Sequence, residues 1–114
     1  MRLIKRFEAE IIVFSELELK KGKSVTIRTG TAEKECKVEK ISEKIDSINL
    51  GVLEHNSRSL SNGEVGKVML KPVEPICLEL YSYMPQLGRL VVVGNKGPAA
   101  AGIVLEVEDF DSNE

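Results

Sequence analysis

Pro75-Ile-Cys-Leu-Glu-Leu-Tyr-Ser-Tyr-Met-Pro-Gln-Leu-Gly-Arg-Leu-Val-Val-Val93, followed by Ala99-Ala-Ala-Gly-Ile-Val-Leu-Glu-Val107, decides how this chain folds. Short apolar runs alternate with turn signals. Ile76 to Leu80 predicts a strand, and Tyr81 to Gly88 predicts an aromatic-rich turn closed by Pro85 and Gly88. Arg89 to Val93 predicts a second strand. A Gly/Pro loop leads to a third, Ile103 to Val107.

The same alternation extends upstream. In Phe7-Glu-Ala-Glu-Ile-Ile-Val-Phe14, Phe7, Ala9 and Ile11 alternate with Glu8 and Glu10, the period-2 pattern of a half-buried strand. Lys20-Lys-Gly-Lys23 predicts a turn in which Gly22 takes a positive φ. Ser24 to Thr29 predicts the next strand, Gly30 another turn, and Thr31 to Ile41 a long strand. Ala32, Lys34, Cys36, Val38 and Lys40 would share one face of it. Ile41 breaks that register, which a bulge near Glu39 and Lys40 restores. Residues 42–62 read as a loop with one short strand near Ile45 to Ile48. Gly63 to Leu70 predicts a strand. Lys71 to Pro75 predicts a turn, because two prolines three apart do not fit inside a central strand. No segment shows a 3.6-residue period. The fold class expected from this pattern of about seven short strands is all-β, a sandwich or a barrel. One domain over residues 1–114 is expected, with residues 1–5 and 109–114 frayed.

Composition narrows the function classes. A net charge of −2 gives no global field for nucleic acid. The opening residues, charged at Arg2, Lys5 and Arg6, lack the apolar core of a signal peptide, and no apolar run reaches membrane-helix length. A cytoplasmic protein with no membrane partner is expected. Cys36 and Cys77 are expected as small buried thiols. One histidine and two cysteines fit no zinc spacing.

Catalytic signatures fail on spacing. Lys21-Gly-Lys-Ser24 resembles the end of a phosphate-binding loop, but Leu17 stands where its first glycine belongs and a strand follows instead of a helix. Gly94-Asn-Lys-Gly97 is followed by Pro98 where a base-reading loop has Asp. His55, in a polar stretch with Glu54, reads as a solvated loop residue. No catalytic residue, metal or cofactor is expected in this chain. Tyr81, Tyr83, Met84, Gln86 and Arg89 instead gather residue types enriched at interface centres in and beside one turn.

The chain resembles the third domain, a C-terminal β-barrel, of elongation factor 1-alpha-like translational GTPases. Phe7 to Phe14 is similar to the family's opening strand. Ser57-Arg-Ser-Leu60, Pro75-Ile-Cys-Leu-Glu79 and Pro85-Gln-Leu-Gly-Arg89 follow in the family's order and spacing. Arg28 stands where the family has a histidine, Leu90 where it has a phenylalanine, and Val93-Gly94 where it has Arg-Asp. Pro75 to Tyr81 and Ala100 to Val104 look more like the release-factor GTPase subunit or the ribosome-rescue GTPase that partners Pelota. The resemblance implies a closed antiparallel Greek-key barrel of about six to seven strands, and a non-catalytic module that docks a release-factor or Pelota-like protein and packs on the adjacent barrel of its parent, with the ribosome or tRNA as further contacts. The partner-binding residues expected are Tyr81, Tyr83, Met84, Gln86 and Arg89, with Arg28 and Thr29 second. The alternative implied is a tRNA-binding third domain of the elongation-factor type, served by Lys20, Lys21, Lys23 and Arg28.

Overall fold

The computed structural model describes residues 4–16, 18–29, 32–45, 51–74, 88–94 and 97–109. Nearly all of them are strand. The elements are β1 (Ile4–Val13), β2 (Leu19–Lys20), β3 (Ser24–Thr29), β4 (Ala32–Ile45), β5 (Val52–Ser57), β6 (Ser59–Leu60), β7 (Val65–Pro72), β8 (Arg89–Gly94) and β9 (Gly97–Asp109). The large sheet runs β3-β8-β9-β1-β7-β4-β5, and β3 also pairs with β4. That last pairing closes β3, β8, β9, β1, β7 and β4 into an antiparallel barrel, with β5 extending β4 outside the ring. β2 and β6 form a separate two-stranded ribbon.

Closure puts one side chain of each pair inside. Phe7, Ala9, Ile11 and Val13 of β1 are buried, as are Val68 and Leu70 of β7, Leu90 and Val92 of β8, and Ala100 and Val104 of β9. Each large side chain so buried contributes about 1.5–3 kcal/mol through water release. With no tryptophan and three phenylalanines in the chain, aliphatic residues fill the barrel.

The turn at Gly22 forms as expected: Gly22 has φ 88, and its N–H donates to the Val38 carbonyl at 2.7 Å. The bulge forms too, as a register shift between Val38 and Lys40 on the β7 side. Cys36 and Val38 face inward before it and Ile41 after it.

Several boundaries differ from the sequence reading. Ile4 and Lys5, expected to fray, begin β1; Ile4 is 1% exposed and pairs with Asp109, so burial offsets the ordering cost. Asp109 likewise belongs to β9. The described residues of 42–45 and 51–62 are mostly strand, not loop. β4 runs on to Ile45, and β5 and β6 follow, with position 55 in a strand opposite Glu43. The polar side chains of Ser42 and Glu43 misled because they find partners on the neighbouring strand: the Ser42 hydroxyl donates to the Lys67 carbonyl at 3.2 Å, and Lys67 Nζ lies 3.5 Å from Glu43. Lys71 and Pro72 are strand, not turn; Pro72 takes the last ladder position opposite Cys36, where a missing N–H is tolerated. Pro98 lies inside β9 at a register shift beside Val93, another position that spares a proline. The strand and turn expected over 75–87, the Gly30 turn and the short strand beyond Ile45 fall outside the described residues.

Candidate functional site

Inward and outward positions alternate along each barrel strand, so registers place outward residues in rows around the wall. One row is apolar across four strands. Val91 of β8 pairs with Ala101 of β9, Ala101 with Ile12 of β1, and Ile12 with Val65 of β7. At its β3 end the row meets Arg28, which pairs with Val91. The next row carries charge: Arg89 pairs with Ile103, Ile103 with Glu10, and Glu10 with Lys67. Ile12, Val65, Val91 and Ala101 of the first row and Glu10, Arg89 and Ile103 of the second line a shallow concavity of about 480 Å³. Ile12 is 44% exposed and Phe14, just past the end of β1, is 51% exposed. Apolar surface of this kind on the outside of a barrel, flanked by charge, has the anatomy of a protein-docking patch.

The floor is shaped by Gly102, between Ala101 and Ile103. A Cβ there would stand 2.5 Å from the Glu10 carbonyl oxygen and 2.8 Å from Ile11 Cγ1, so glycine lets β9 and β1 approach closely beneath the concavity.

Two of the residues expected to bind a partner meet at this wall. Arg89 is exposed at the head of the charged row and engages a partner within the protein. Arg28 is exposed on β3; its Nε and Nη2 both donate to Glu33 Oε2, at 3.0 and 2.7 Å. Thr29 is different. It is 7% exposed, and its Oγ1 finds no hydrogen-bond partner among the described residues, so it presents no hydroxyl to an incoming surface. Tyr81, Tyr83, Met84 and Gln86 lie outside the described residues.

The sequence reading missed Ile12, Val65, Val91 and Ala101. A signal existed: Ile11-Ile-Val-Phe14 and Leu90-Val-Val-Val93 are apolar on both faces of a strand, which a half-solvated wall does not require.

Among the described residues no group of three or more His, Cys, Asp or Glu could hold a metal, and no helix is long and apolar enough to cross a membrane. Burial, with help from the Glu35 carboxylate, pushes the Cys36 thiol up to about 12, so it stays protonated and unreactive.

A family model described as GTP-eEF1A C-terminal domain-like matches residues 6–105. Elongation factor 1-alpha of Methanopyrus kandleri is 34% identical over 103 residues, covering 90% of this chain and 24% of that protein. The same factor of Stylonychia lemnae is 32% identical over 102 residues, 89% of this chain and 23% of its own length. The chain thus spans about a quarter of the curated relatives it matches. Among solved structures, sup35 complexed with GDP superposes with a TM-score of 0.83 over 93% of this chain and 26% of that one, at 21% identity.

Proposed function

Because this chain belongs to the GTP-eEF1A C-terminal domain-like family, we propose that it serves as the non-catalytic C-terminal barrel of a termination or ribosome-rescue GTPase, docking a release-factor or Pelota-like protein. The observation that carries the reading is the apolar row Val91–Ala101–Ile12–Val65, flanked by Arg28 and Arg89. A core of aliphatic side chains supplies desolvated contact, and the charged groups at its edge form a polar rim. The role is positional. The barrel holds the partner while nucleotide hydrolysis occurs in a domain of the parent that this chain does not include. A different wall packs on the parent's second barrel.

The test is binding of the chain to a purified release factor and to a Pelota-like protein, with Ile12→Asp and Arg89→Ala variants. Each variant should weaken binding at least tenfold, about 1.4 kcal/mol. Melting should stay within a few degrees for Ile12→Asp, because Ile12 is already 44% exposed. Unchanged affinity for both partners would sink the reading.

Relatives named elongation factor 1-alpha favour a second reading, in which the barrel is a tRNA-contacting third domain. Aminoacyl-tRNA binding that survives Ile12→Asp, with no binding to either protein, would select it.

A further inference from the structure

Asparagine followed by glycine occurs once in this chain, at Asn62-Gly63. The pair sits in the tight turn between β6 and β7. The Glu64 N–H donates to the Ser61 carbonyl at 2.9 Å and closes the turn, and Gly63 supplies a positive φ of 86. Both residues are exposed, and a Cβ at Gly63 would meet nothing within 4 Å, so the peptide bond joining them faces open space. Among the described residues none holds the Asn62 side-chain amide by a hydrogen bond.

Further hydrogen bonds fasten the turn to its surroundings. The Gly63 N–H donates to the Val13 carbonyl at 2.7 Å, the Val13 N–H donates to the Glu64 carbonyl at 3.1 Å, and the Ser61 N–H donates to Glu64 Oε1 at 2.7 Å. Glu64 Oε2 lies 3.3 Å from Lys44 Nζ, which steadies that carboxylate. The bond from Gly63 bears on reactivity. An amide nitrogen attacks a carbonyl carbon only after shedding its proton, and a proton held by a carbonyl oxygen is shed only when that bond opens. The turn lies at the far end of the β1–β7 ladder, past the Ile12–Val65 pair, where local opening is easiest.

We infer that Asn62 is a site of spontaneous deamidation, gated by the hydrogen bond from Gly63 to Val13. Once that bond opens, the Gly63 nitrogen gives its proton to water and attacks Cγ of Asn62. The nitrogen–Cγ bond forms, the Cγ–Nδ2 bond breaks, and the amide nitrogen takes a proton back from water and leaves as ammonia. Glycine matters here because no side chain shields the attacking nitrogen. The succinimide ring that results is hydrolysed by water at either of its carbonyls. One opening gives aspartate. The other gives isoaspartate, whose main chain runs through the side-chain carbon and is longer by one atom. Over the whole sequence one water is consumed and one ammonia released, with no oxidant or cofactor. The two products differ in consequence. Aspartate adds a charge to an exposed turn. Isoaspartate lengthens the path from Ser61 to Glu64, so the closing bond of the turn and its bonds to Val13 no longer fit together. The Ile12–Val65 pair stands next to those bonds at the rim of the concavity.

The experiment incubates the full chain under mildly alkaline conditions and follows the amide-to-acid mass gain in the tryptic peptide Ser59–Lys67, where Asn62 is the only amide side chain. A synthetic peptide of that sequence supplies the ungated rate. The folded chain should convert about tenfold more slowly than the peptide, the factor that one hydrogen bond of ordinary net strength imposes. Glu64→Ala, which frees the Ser61 N–H, should speed conversion of the folded chain more than it speeds the matching peptide. Asn62→Gln should abolish the mass gain and keep the wild-type melting temperature, since position 62 is exposed. The isoaspartate form, separated by ion exchange and identified by isoaspartyl methylation, should melt below Asn62→Asp, which carries the charge without the longer chain. No conversion of the folded chain by the time the chain in denaturant has converted fully would overturn the inference. So would equal rates in chain and peptide, a Glu64→Ala chain no faster than the wild type, or an isoaspartate form that melts with Asn62→Asp.

Discussion

Gly102 shows how little space one position can spare. Its missing Cβ would stand 2.5 Å from the Glu10 carbonyl oxygen, and backbone cannot swing aside as a side-chain tip can. Gly102→Ala should therefore destabilise the barrel by about 1–3 kcal/mol by forcing β9 from β1. A drop of roughly 4–8 °C in melting temperature per kcal/mol would report it. An unchanged melting curve would mean the strands separate without cost. Cys36 makes a residue-scale prediction about pH. Its folded thiol is raised by burial and by Glu35 from 9.0 to about 12, so the folded state holds a proton that the unfolded chain releases first. The resulting stability is fully present below about 9 and is lost as pH climbs from there toward about 12. Denaturant midpoints should fall across that window, and more shallowly in Cys36→Ala. At pH 8 in a Cys77→Ala background, a thiol reagent should modify Cys36 only on unfolding.

At the scale of the element, β4 carries the most information. Its bulge between Val38 and Lys40 returns Ile41 to the interior. Deleting Glu39 would remove the extra residue and turn either Cys36 and Val38 or Ile41 outward, because side chains alternate with a period of two. The deletion variant should be insoluble or lack a cooperative melt, whereas Glu39→Ala should fold. This bulge was legible in the sequence, since Ile41 breaks the alternation set by Cys36 and Val38. So was the Gly22 turn. The second half of β4 was not, because Ser42, Glu43 and Lys44 read as loop until β7 and β1 supply Lys67 and Glu8 as their neighbours. The apolar row was hidden for a related reason. Ile12, Val65, Val91 and Ala101 come from four distant strands, and only the register brings them together. Arg89, singled out for its own turn, and Arg28, singled out from a resemblance, border that row.

For the whole molecule, the governing fact is that β1 and β9, first and last of the described strands, lie side by side at the middle of the sheet order. The barrel cannot close until nearly the whole chain has been made. Such distant pairing is slow to find, and refolding should take milliseconds to seconds as a single cooperative step. Stopped-flow refolding in the microsecond range, or a populated intermediate lacking β9, would contradict this. The same pairing sets how the barrel responds to pulling. Ile4 sits opposite Asp109, so both ends of the described chain leave from one edge. A load applied between them pulls across the β1–β9 ladder and opens its hydrogen bonds one after another, like a zip. A load between Ile4 and Gly97 would run along the strands and strain many of those bonds at once. As a mechanical object the barrel is strong when sheared along its wall and weak when drawn apart by its own two ends.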